Sequence, residues 1–316
     1  MEFKQLRSFA AVVRCGSFTK ASEQLYLSQP TVSAHVQALE EELGTCLLLR
    51  TTKSLEITPM GQEVYQRAVD ILELQRQMTE LGTGSARKTI RLGASTIPSA
   101  YILPQLLPEF KQRRPEVFFT VQQSNSQGVS DGLADGLFDV GLMGMKTEGG
   151  RLTCIPFCRD SIILIAPPRE PFLSLQRRPE LPLEELLRQP IILRERSSGS
   201  QRTVDRFLES VGMREDSLLV AARMNDQEAI KNLVAGGLGV SLISERAAQV
   251  FVEEGRVLRF GLPEQGTRNL YLAWRQEYAL PPHVKEFVAF ARGKYAGEAP
   301  VGDRPRPQTN KTRDEL

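Results

Sequence analysis

Histidine is almost missing. His35 and His283 are the two in a chain of 316 residues, and neither neighbours a Ser or Cys arrangement that would supply a nucleophile with its base. Metal-assisted hydrolysis lacks ligands for the same reason. These shortages argue against an enzyme. Cysteine is sparse as well: Cys15, Cys46, Cys154 and Cys158 form no pair with metal spacing, and Cys154 and Cys158 lack histidine partners nearby. Reduced, mostly buried thiols are expected, and no cofactor is implied. No apolar run reaches the eighteen or so residues a membrane helix needs, and a basic-then-apolar leader is lacking, so neither a membrane span nor secretion is expected and the cytoplasm is. An excess of either charge is missing too. Forty Lys and Arg against 38 Asp and Glu leave a net charge of +2, which does not by itself announce a nucleic-acid binder.

With 41% hydrophobic and 25% charged residues, the chain can bury a substantial core and should divide into two or three domains. Phe18 to Gln37 organises the first of them, reading as helix, short turn, helix. In the second helix Val32, Val36, Leu39 and Leu43 recur at helical spacing, so one face must pack. Ser28 stands where an N-cap belongs and Pro30 falls in the first turn, where its missing N–H costs little. Gln29, Thr31, Ser33, Ala34, His35 and Gln37 lie off the buried stripe. Small polar and amide side chains there suit a helix that enters a major groove, touches phosphates and reads base edges. The same pattern, taken alone, equally describes an ordinary amphipathic hairpin. Charge does not decide between them. Up to Met60, Lys4, Arg7, Arg14, Lys20, Arg50 and Lys53 face Glu2, Glu23, Glu40, Glu41, Glu42 and Glu56, although segregation of these charges leaves room for a basic edge.

The identity of the residues goes further. Ala21, Leu25, Ser28-Gln29-Pro30, Ser33, Leu39-Glu40, Leu43-Gly44, Leu47 and Arg50 match the amino-terminal signature of LysR-type transcriptional regulators position by position. Phe3 to Gly61 resembles that family without a gap. The resemblance implies an α/β protein with an N-terminal winged helix-turn-helix, a long linker helix and a two-lobed, periplasmic-binding-protein-like effector domain. It implies double-stranded promoter or operator DNA as partner, self-association as homodimer or homotetramer, and RNA polymerase as a further partner if the chain activates. Ser28, Gln29, Pro30, Thr31 and Ser33 then become the base-edge or phosphate candidates, with His35 and Lys53 as backbone contacts; pure capping is the competing role of Ser28. Three departures from the family pattern stand out. Ala34 replaces a frequent arginine in the recognition helix, Lys53 an arginine in the wing, and Leu48 a phenylalanine. Fewer guanidinium groups remain to read guanine or a narrow groove, so no relative's target sequence transfers.

Around this unit, Phe3, Leu6, Phe9, Ala10 and Val13 predict a first helix that Gly16 ends, and Ser17 caps the next. The segment from Leu47 to Ile57 has the look of a β-wing. Thr58-Pro59-Met60-Gly61 opens a further helix with Thr58 as cap. Val64, Ala68, Ile71 and Met78 form a narrow apolar seam on it, which suggests pairing with a second copy; packing on its own domain is the alternative. Pairing would set two recognition helices to address half-sites about 34 Å apart. The expected organisation is 1–58 for the winged helix-turn-helix (helix-turn-helix about 18–37), 59–82 for the linker and dimerisation helix, 83–88 for a hinge around Gly82-Thr83-Gly84-Ser85, and 89–296 for the effector domain. Residues 297–316 are rich in Pro, Arg, Gly and Asp and should be disordered. The closing Arg-Asp-Glu-Leu is a chance likeness to an endoplasmic retention signal.

From Thr89 onward short β-runs alternate with helices, the pattern of α/β sheets. Candidate strands are Ile90 to Ala94, Val117 to Gln123, Val140 to Met145, Ile162 to Ile165, Ile191 to Leu193, Leu218 to Ala221, Val240 to Ile243 and Leu270 to Trp274. The resemblance assigns 89–162 with 268–292 to lobe I and 163–267 to lobe II. Ligands of such sheets collect beyond the carboxyl ends of strands, and helix N-termini offer N–H groups to anions. A small polar or anionic effector held between the lobes by Ser95, Thr96, Asn125, Arg194, Ser198 and Ser200 is therefore expected, although each serine also has an ordinary capping role. Gly236-Gly237-Leu238-Gly239 fits no nucleotide fingerprint and reads as backbone geometry. A solute-binding transport module is the alternative suggested by the two-lobe region alone.

Overall fold

The structure is a computed structural model that describes residues 1–50, 55–82, 88–146, 152–196, 198–263, 266–276 and 278–297. Three helices open the chain. α1 (Phe3–Cys15) stops at Gly16, whose φ of 58° is the left-handed region glycine adopts at least cost. α2 (Phe18–Leu25) is capped by Ser17, which accepts from Lys20 N at 3.4 Å. α3 (Gln29–Leu43) has Ser28 as its cap and ends at Gly44. Phe9, Val32, Val36, Leu39 and Leu47 are fully buried between them. β1 (Leu48–Arg50) pairs antiparallel with β2 (Leu55–Ile57) to form the wing. Glu40 tethers it, accepting from the backbone N–H of Leu47 at 2.7 Å and of Leu48 at 3.1 Å. Residues 51–54, including Lys53, lie outside the described residues.

α4 (Pro59–Gly82) begins under the wing. Thr58 Oγ1 accepts from Gly61 N at 2.8 Å and donates to the Cys46 carbonyl at 2.9 Å. A Cβ on Gly61 would stand 2.1 Å from the Leu47 carbonyl oxygen, so only glycine lets helix and strand approach this closely. The apolar seam departs from expectation here. Ala68 is buried in the core of α1 to α3 together with Tyr65 and Val69, with Val64 and Ile71 packed beside them, and Tyr65 meets Phe9 edge to face at 6.4 Å. The first half of the helix thus completes the amino-terminal core, the alternative to pairing that its pattern left open. Met78 and Leu74 remain largely exposed. Residues 83–87 lie outside the described residues, and Lys88 already belongs to a strand.

The chain then alternates between strands and helices: β3 (Lys88–Ala94), α5 (Leu103–Arg113, led in by a π-type turn at Pro98–Ile102), β4 (Val117–Gln123), α6 (Ser126–Ala134) and β5 (Val140–Met143). β6 (Leu152–Ala166), α7 (Phe172–Gln176), α8 (Leu183–Leu187), β7 (Ile191–Arg194) and α9 (Gly199–Ser210) follow. The series closes with β8 (Val220–Met224), α10 (Gln227–Ala235), β9 (Val240–Ser244), α11 (Glu245–Glu253), β10 (Leu258–Gly261), β11 (Thr267–Arg275) and α12 (Pro282–Lys294). Two compact units result. The first is Met1–Ile155 with Leu272–Phe290, so it includes the winged helix-turn-helix and α4; the second is Pro156–Tyr271 with the chain from Ala291.

In the first unit the strand order is β4-β3-β5-β11, with β3 parallel to both β4 and β5. Phe110 and Phe287 stack edge to face at 5.3 Å, which seats α5 against α12. Gly93 and Gly132 leave room for the Phe138 ring, since a Cβ on either would fall within 2.4 Å of it. In the second unit the order is β6-β9-β7-β8, with β10 antiparallel to β6. Its core gathers Leu164, Leu193, Phe207 and Leu242.

Several boundaries differ from expectation. β6 starts at Leu152 rather than Ile162, hidden in the sequence by Pro156 and Asp160. Asp160 is buried because Arg268 Nε donates to its Oδ2 at 2.9 Å and Ser244 Oγ to its Oδ1 at 2.6 Å. β8 begins at Val220, not Leu218, and β10 was not anticipated. The chain passes between units at 155/156 and 271/272, inside β6 and β11, and again at 290/291 within α12, where the expected lobe boundaries were 162/163 and 267/268. Of the cysteines Cys158 alone is buried; Cys46 is exposed at the approach to the wing, and Cys15 and Cys154 are half-buried. Residues 298–316 lie outside the described residues.

Candidate nucleic-acid interface and ligand loops

The polar end of α3 is built by its cap. Ser28 Oγ accepts from Thr31 N at 3.3 Å and shares a hydrogen bond with Thr31 Oγ1 at 2.7 Å. Both hydroxyls are thus engaged in starting the helix. Gln29, Pro30, Ala34 and Gln37 are exposed, and Thr31 and Ser33 half-exposed. His35 is tied elsewhere: its Nδ1 lies 2.8 Å from Ser8 Oγ on α1, so one ring nitrogen clamps α3 to α1 and is not open to a phosphate. The open surface of the helix is therefore Gln29, Pro30, Ala34 and Gln37, with Thr31 and Ser33 at its margin. A helix start also presents unpaired N–H groups and the positive end of the macrodipole, which favour phosphate.

In the first unit the loops after β3, β4 and β5 leave the sheet side by side. Ser95 N donates to the Leu142 carbonyl at 2.8 Å and Ser124 N to that of Ala94 at 3.0 Å. Ser95 is buried, and its Oγ accepts from Gly144 N at 3.0 Å. Thr96 is half-exposed. Asn125 caps α6 through Gly128 N at 2.8 Å. Next to it Ser126 is buried with an Oγ that makes no hydrogen bond among the described residues. Sequence reasoning passed over Ser126 because a serine at the first position of a helix carries no periodicity.

The second unit repeats the arrangement. Glu195 N donates to the Met224 carbonyl at 3.0 Å, placing the loops after β7 and β8 together. Arg194 is 2% exposed, and its backbone N–H is held by Gln201 Oε1 at 2.9 Å. Ser198 stands at the N-cap position of α9 without a side-chain capping hydrogen bond, and its Oγ lies 2.8 Å from Ser200 Oγ, both buried. Arg194, Ser198 and Ser200 are thus brought into one loop and helix start. Gln227, the first residue of α10, is 3% exposed, and neither end of its amide finds a partner among the described residues. Nothing in the sequence singled it out. A buried polar group left unsatisfied costs about 1–3 kcal/mol.

Between α4 and the strands of the first unit lies a buried charge network. Glu73 accepts from Arg76 Nε at 3.0 Å, Arg91 Nη2 at 2.9 Å and Tyr278 Oη at 3.0 Å. Arg91 also donates from Nη2 to Asp139 at 2.6 Å and from Nη1 to the Gly136 carbonyl at 2.7 Å. Burial pushes the Glu73 carboxyl up, but the Arg76 hydrogen bond and the charges of Arg91 and Arg76 outweigh it, and the net shift is downward. Burial also raises Tyr278, as do the charge and hydrogen bond of Glu73. Asp135, half-buried and bonded by the Tyr65 hydroxyl, is raised chiefly by loss of water around it. Among the described residues no cluster of His, Cys, Asp or Glu is fit to hold a metal ion, and no helix is long and apolar enough to cross a membrane.

A winged helix-turn-helix followed through a long helix by an α/β region defines a DNA-binding regulator with a sensing domain. Comparison with known proteins narrows this. Residues 3–62 match the model for bacterial regulatory helix-turn-helix proteins of the lysR family, and residues 83–296 that for the LysR substrate binding domain. The chain belongs to the LysR family of transcriptional regulators. It is 30% identical to the RuBisCO operon transcriptional regulator of Allochromatium vinosum, covering 94% of this chain and 97% of that one. It is 33% identical to the HTH-type transcriptional regulator CysL of Bacillus subtilis over 77% and 81% of the two chains. Its fold is also that of a full-length OxyR variant from Pseudomonas aeruginosa, with TM-score 0.71, 21% identity, and 96% and 99% of the chains covered. Full-length CbnR complexed with its target DNA matches at TM-score 0.60 and 22% identity, over 93% and 99%. The relatives are transcriptional regulators, not enzymes.

Proposed function

We propose that this regulator binds operator DNA through Gln29, Pro30, Thr31 and Ser33 and is controlled by a small polar or anionic effector held by Ser95, Thr96 and Asn125 of one lobe and Arg194, Ser198 and Ser200 of the other. The observation that carries the effector reading is the convergence of the buried Arg194, Ser198 and Ser200 at the start of α9, with Arg194 2% exposed. The guanidinium keeps Glu195 Oε1 at 3.8 Å from Nη2 and brings positive charge to a helix start whose N–H groups suit the same anion. Gln227, buried with its amide unsatisfied, would supply a neutral donor and acceptor. In this reading the protein works in the cytoplasm as a homodimer or homotetramer and needs no cofactor. RNA polymerase is its further partner if it activates. The effector acts by its different affinity for two arrangements of the protein.

Thermal melts of the full chain with sulfate, phosphate and short mono- and dicarboxylates test the ligand class. An anion at a hundredfold excess over its Kd adds about 2.7 kcal/mol of stability, and Arg194→Met should abolish that gain while Thr19→Ala leaves it. A flat response to every anion refutes the anionic class. Mobility shift of the DNA upstream of the chain's own gene tests the other half: loss of Gln29 and Ser33 together should weaken binding, each lost contact being worth roughly 1–3 kcal/mol.

A further inference from the structure

Three helices of the amino-terminal domain end in the left-handed region, and they do not end alike. α1 and α3 use Gly16 at φ 58° and Gly44 at φ 64°. α2 uses Tyr26, at φ 54° and ψ 40°, the one non-glycine residue with positive φ among the described residues. Tyrosine is a poor choice for that position, because its Cβ crowds the following carbonyl where glycine has none. Nor is the residue there to pack. Tyr26 is 96% exposed, its phenol makes no hydrogen bond among the described residues, and a bare aromatic ring of this size gains nothing from water.

Its position gives the reason. Tyr26 stands two residues before the Ser28 cap, and from Tyr26 through Pro30 the chain is continuously exposed, so the ring shares the apex that carries Gln29 and Pro30 at the start of α3. We propose that Tyr26 is a DNA-contacting residue that donates its phenolic O–H to a backbone phosphate beside the groove entered by α3. The left-handed turn aims the side chain away from the core, and the ring's length supplies reach. Tyrosine is one of the side chains that serve phosphate contacts. The contact positions α3 in the groove and carries no base information itself. It also adds a neutral donor where arginine is scarce, Ala34 occupying the recognition-helix position. The inference rests on the DNA-binding role of α3.

The test is fluorescence anisotropy of the full chain on a labelled duplex from its own upstream region and on a scrambled duplex, across a salt series. Wild type, Tyr26→Phe, Tyr26→Asn and Gln29→Ala are compared. Loss of a hydrogen bond to a charged group should weaken Tyr26→Phe about tenfold or more, by a similar factor on both duplexes. The slope of log affinity against log salt should not change, because a phenol displaces no counterion. Gln29→Ala should instead cost more on the operator than on the scrambled duplex. Tyr26→Asn should melt at or above wild type, asparagine tolerating the left-handed turn better, yet bind as weakly as Tyr26→Phe. Affinity of Tyr26→Phe within twofold of wild type overturns the proposal, and so does unchanged affinity with lost transcriptional output, which would give Tyr26 to a protein partner. If wild type itself ignores both duplexes at low salt, the failure belongs to the reading of α3.

Discussion

Replacing Glu73 by glutamine keeps the shape of the side chain and removes the charge that Arg76, Arg91 and Tyr278 converge on. Breaking a buried ion pair so that a charge is stranded costs roughly 3–5 kcal/mol. Two features reduce that here. Arg91 keeps Asp139 at 2.6 Å and the Gly136 carbonyl at 2.7 Å, and Arg76, with 28% of its side chain exposed, can turn to water. About 2 kcal/mol is the expected loss from Glu73→Gln, against about 3 kcal/mol for Arg91→Met, which takes from buried Asp139 its close partner and leaves it Arg76 at 3.9 Å, while Glu73 keeps Arg76 and Tyr278. For a unit of this size 1 kcal/mol moves Tm by roughly 2–4 °C, so Glu73→Gln should melt about 4–8 °C lower. Urea and thermal unfolding of the full chain, followed by tryptophan-independent far-UV circular dichroism, read both values. A cost below about 0.5 kcal/mol for Glu73→Gln, the range of ordinary surface changes, would refute the claim that this network holds α4 to the first unit.

The same carboxylate makes a pH prediction. Its folded value lies below the ordinary 4.5, so the unfolded chain binds the proton first; the stabilisation is full above 4.5 and is lost as pH falls through the folded value. Wild type should therefore lose more stability than Glu73→Gln on acidification below that point. Gly61→Ala drives a methyl to 2.1 Å from the Leu47 carbonyl and should cost about 2–3 kcal/mol, lowering the melting temperature and operator affinity together. Arg268→Met leaves Asp160 buried with Ser244 alone and should cost about 3–5 kcal/mol, of which a companion Asp160→Asn change recovers a part in a double-mutant cycle.

What was legible in the sequence was whatever local chemistry dictates. Gly16, Ser17, Ser28 and Thr58 each act at a helix end as their side chains predict. The strands from Val117 and Val140 begin where their apolar runs begin. What escaped depends on partners far away in sequence. Asp160 in a strand looks like a loop until Arg268 is known to neutralise it. Half of the α4 seam, Val64 to Ile71, meets a core built from Phe9 and its neighbours fifty or so residues earlier, a contact the 3.6-residue period does not distinguish from pairing with a second copy, while Met78 stays exposed. His35, read as a backbone contact, is half-exposed and has its Nδ1 engaged by Ser8 on α1, a partner the local pattern does not show. Of the ligand loops, the capping serines were visible, while Ser126 and Gln227 were found only by asking which buried polar atoms lack a partner.

α4 belongs to two structures at once. Tyr65 lays its ring against Phe9 and reaches Asp135 with its hydroxyl, and eight residues on, Glu73 grips Arg91. A truncation that stops at Thr58 would discard part of the hydrophobic filling it was meant to preserve and should give an aggregation-prone fragment, whereas one carried to the end of the helix keeps the filling but bares Glu73. The seam between reader and sensor is therefore no place for scissors, and any graft of this reader onto another sensor must bring along a receptor for Asp70 and Glu73 such as Arg275 and Arg91 supply.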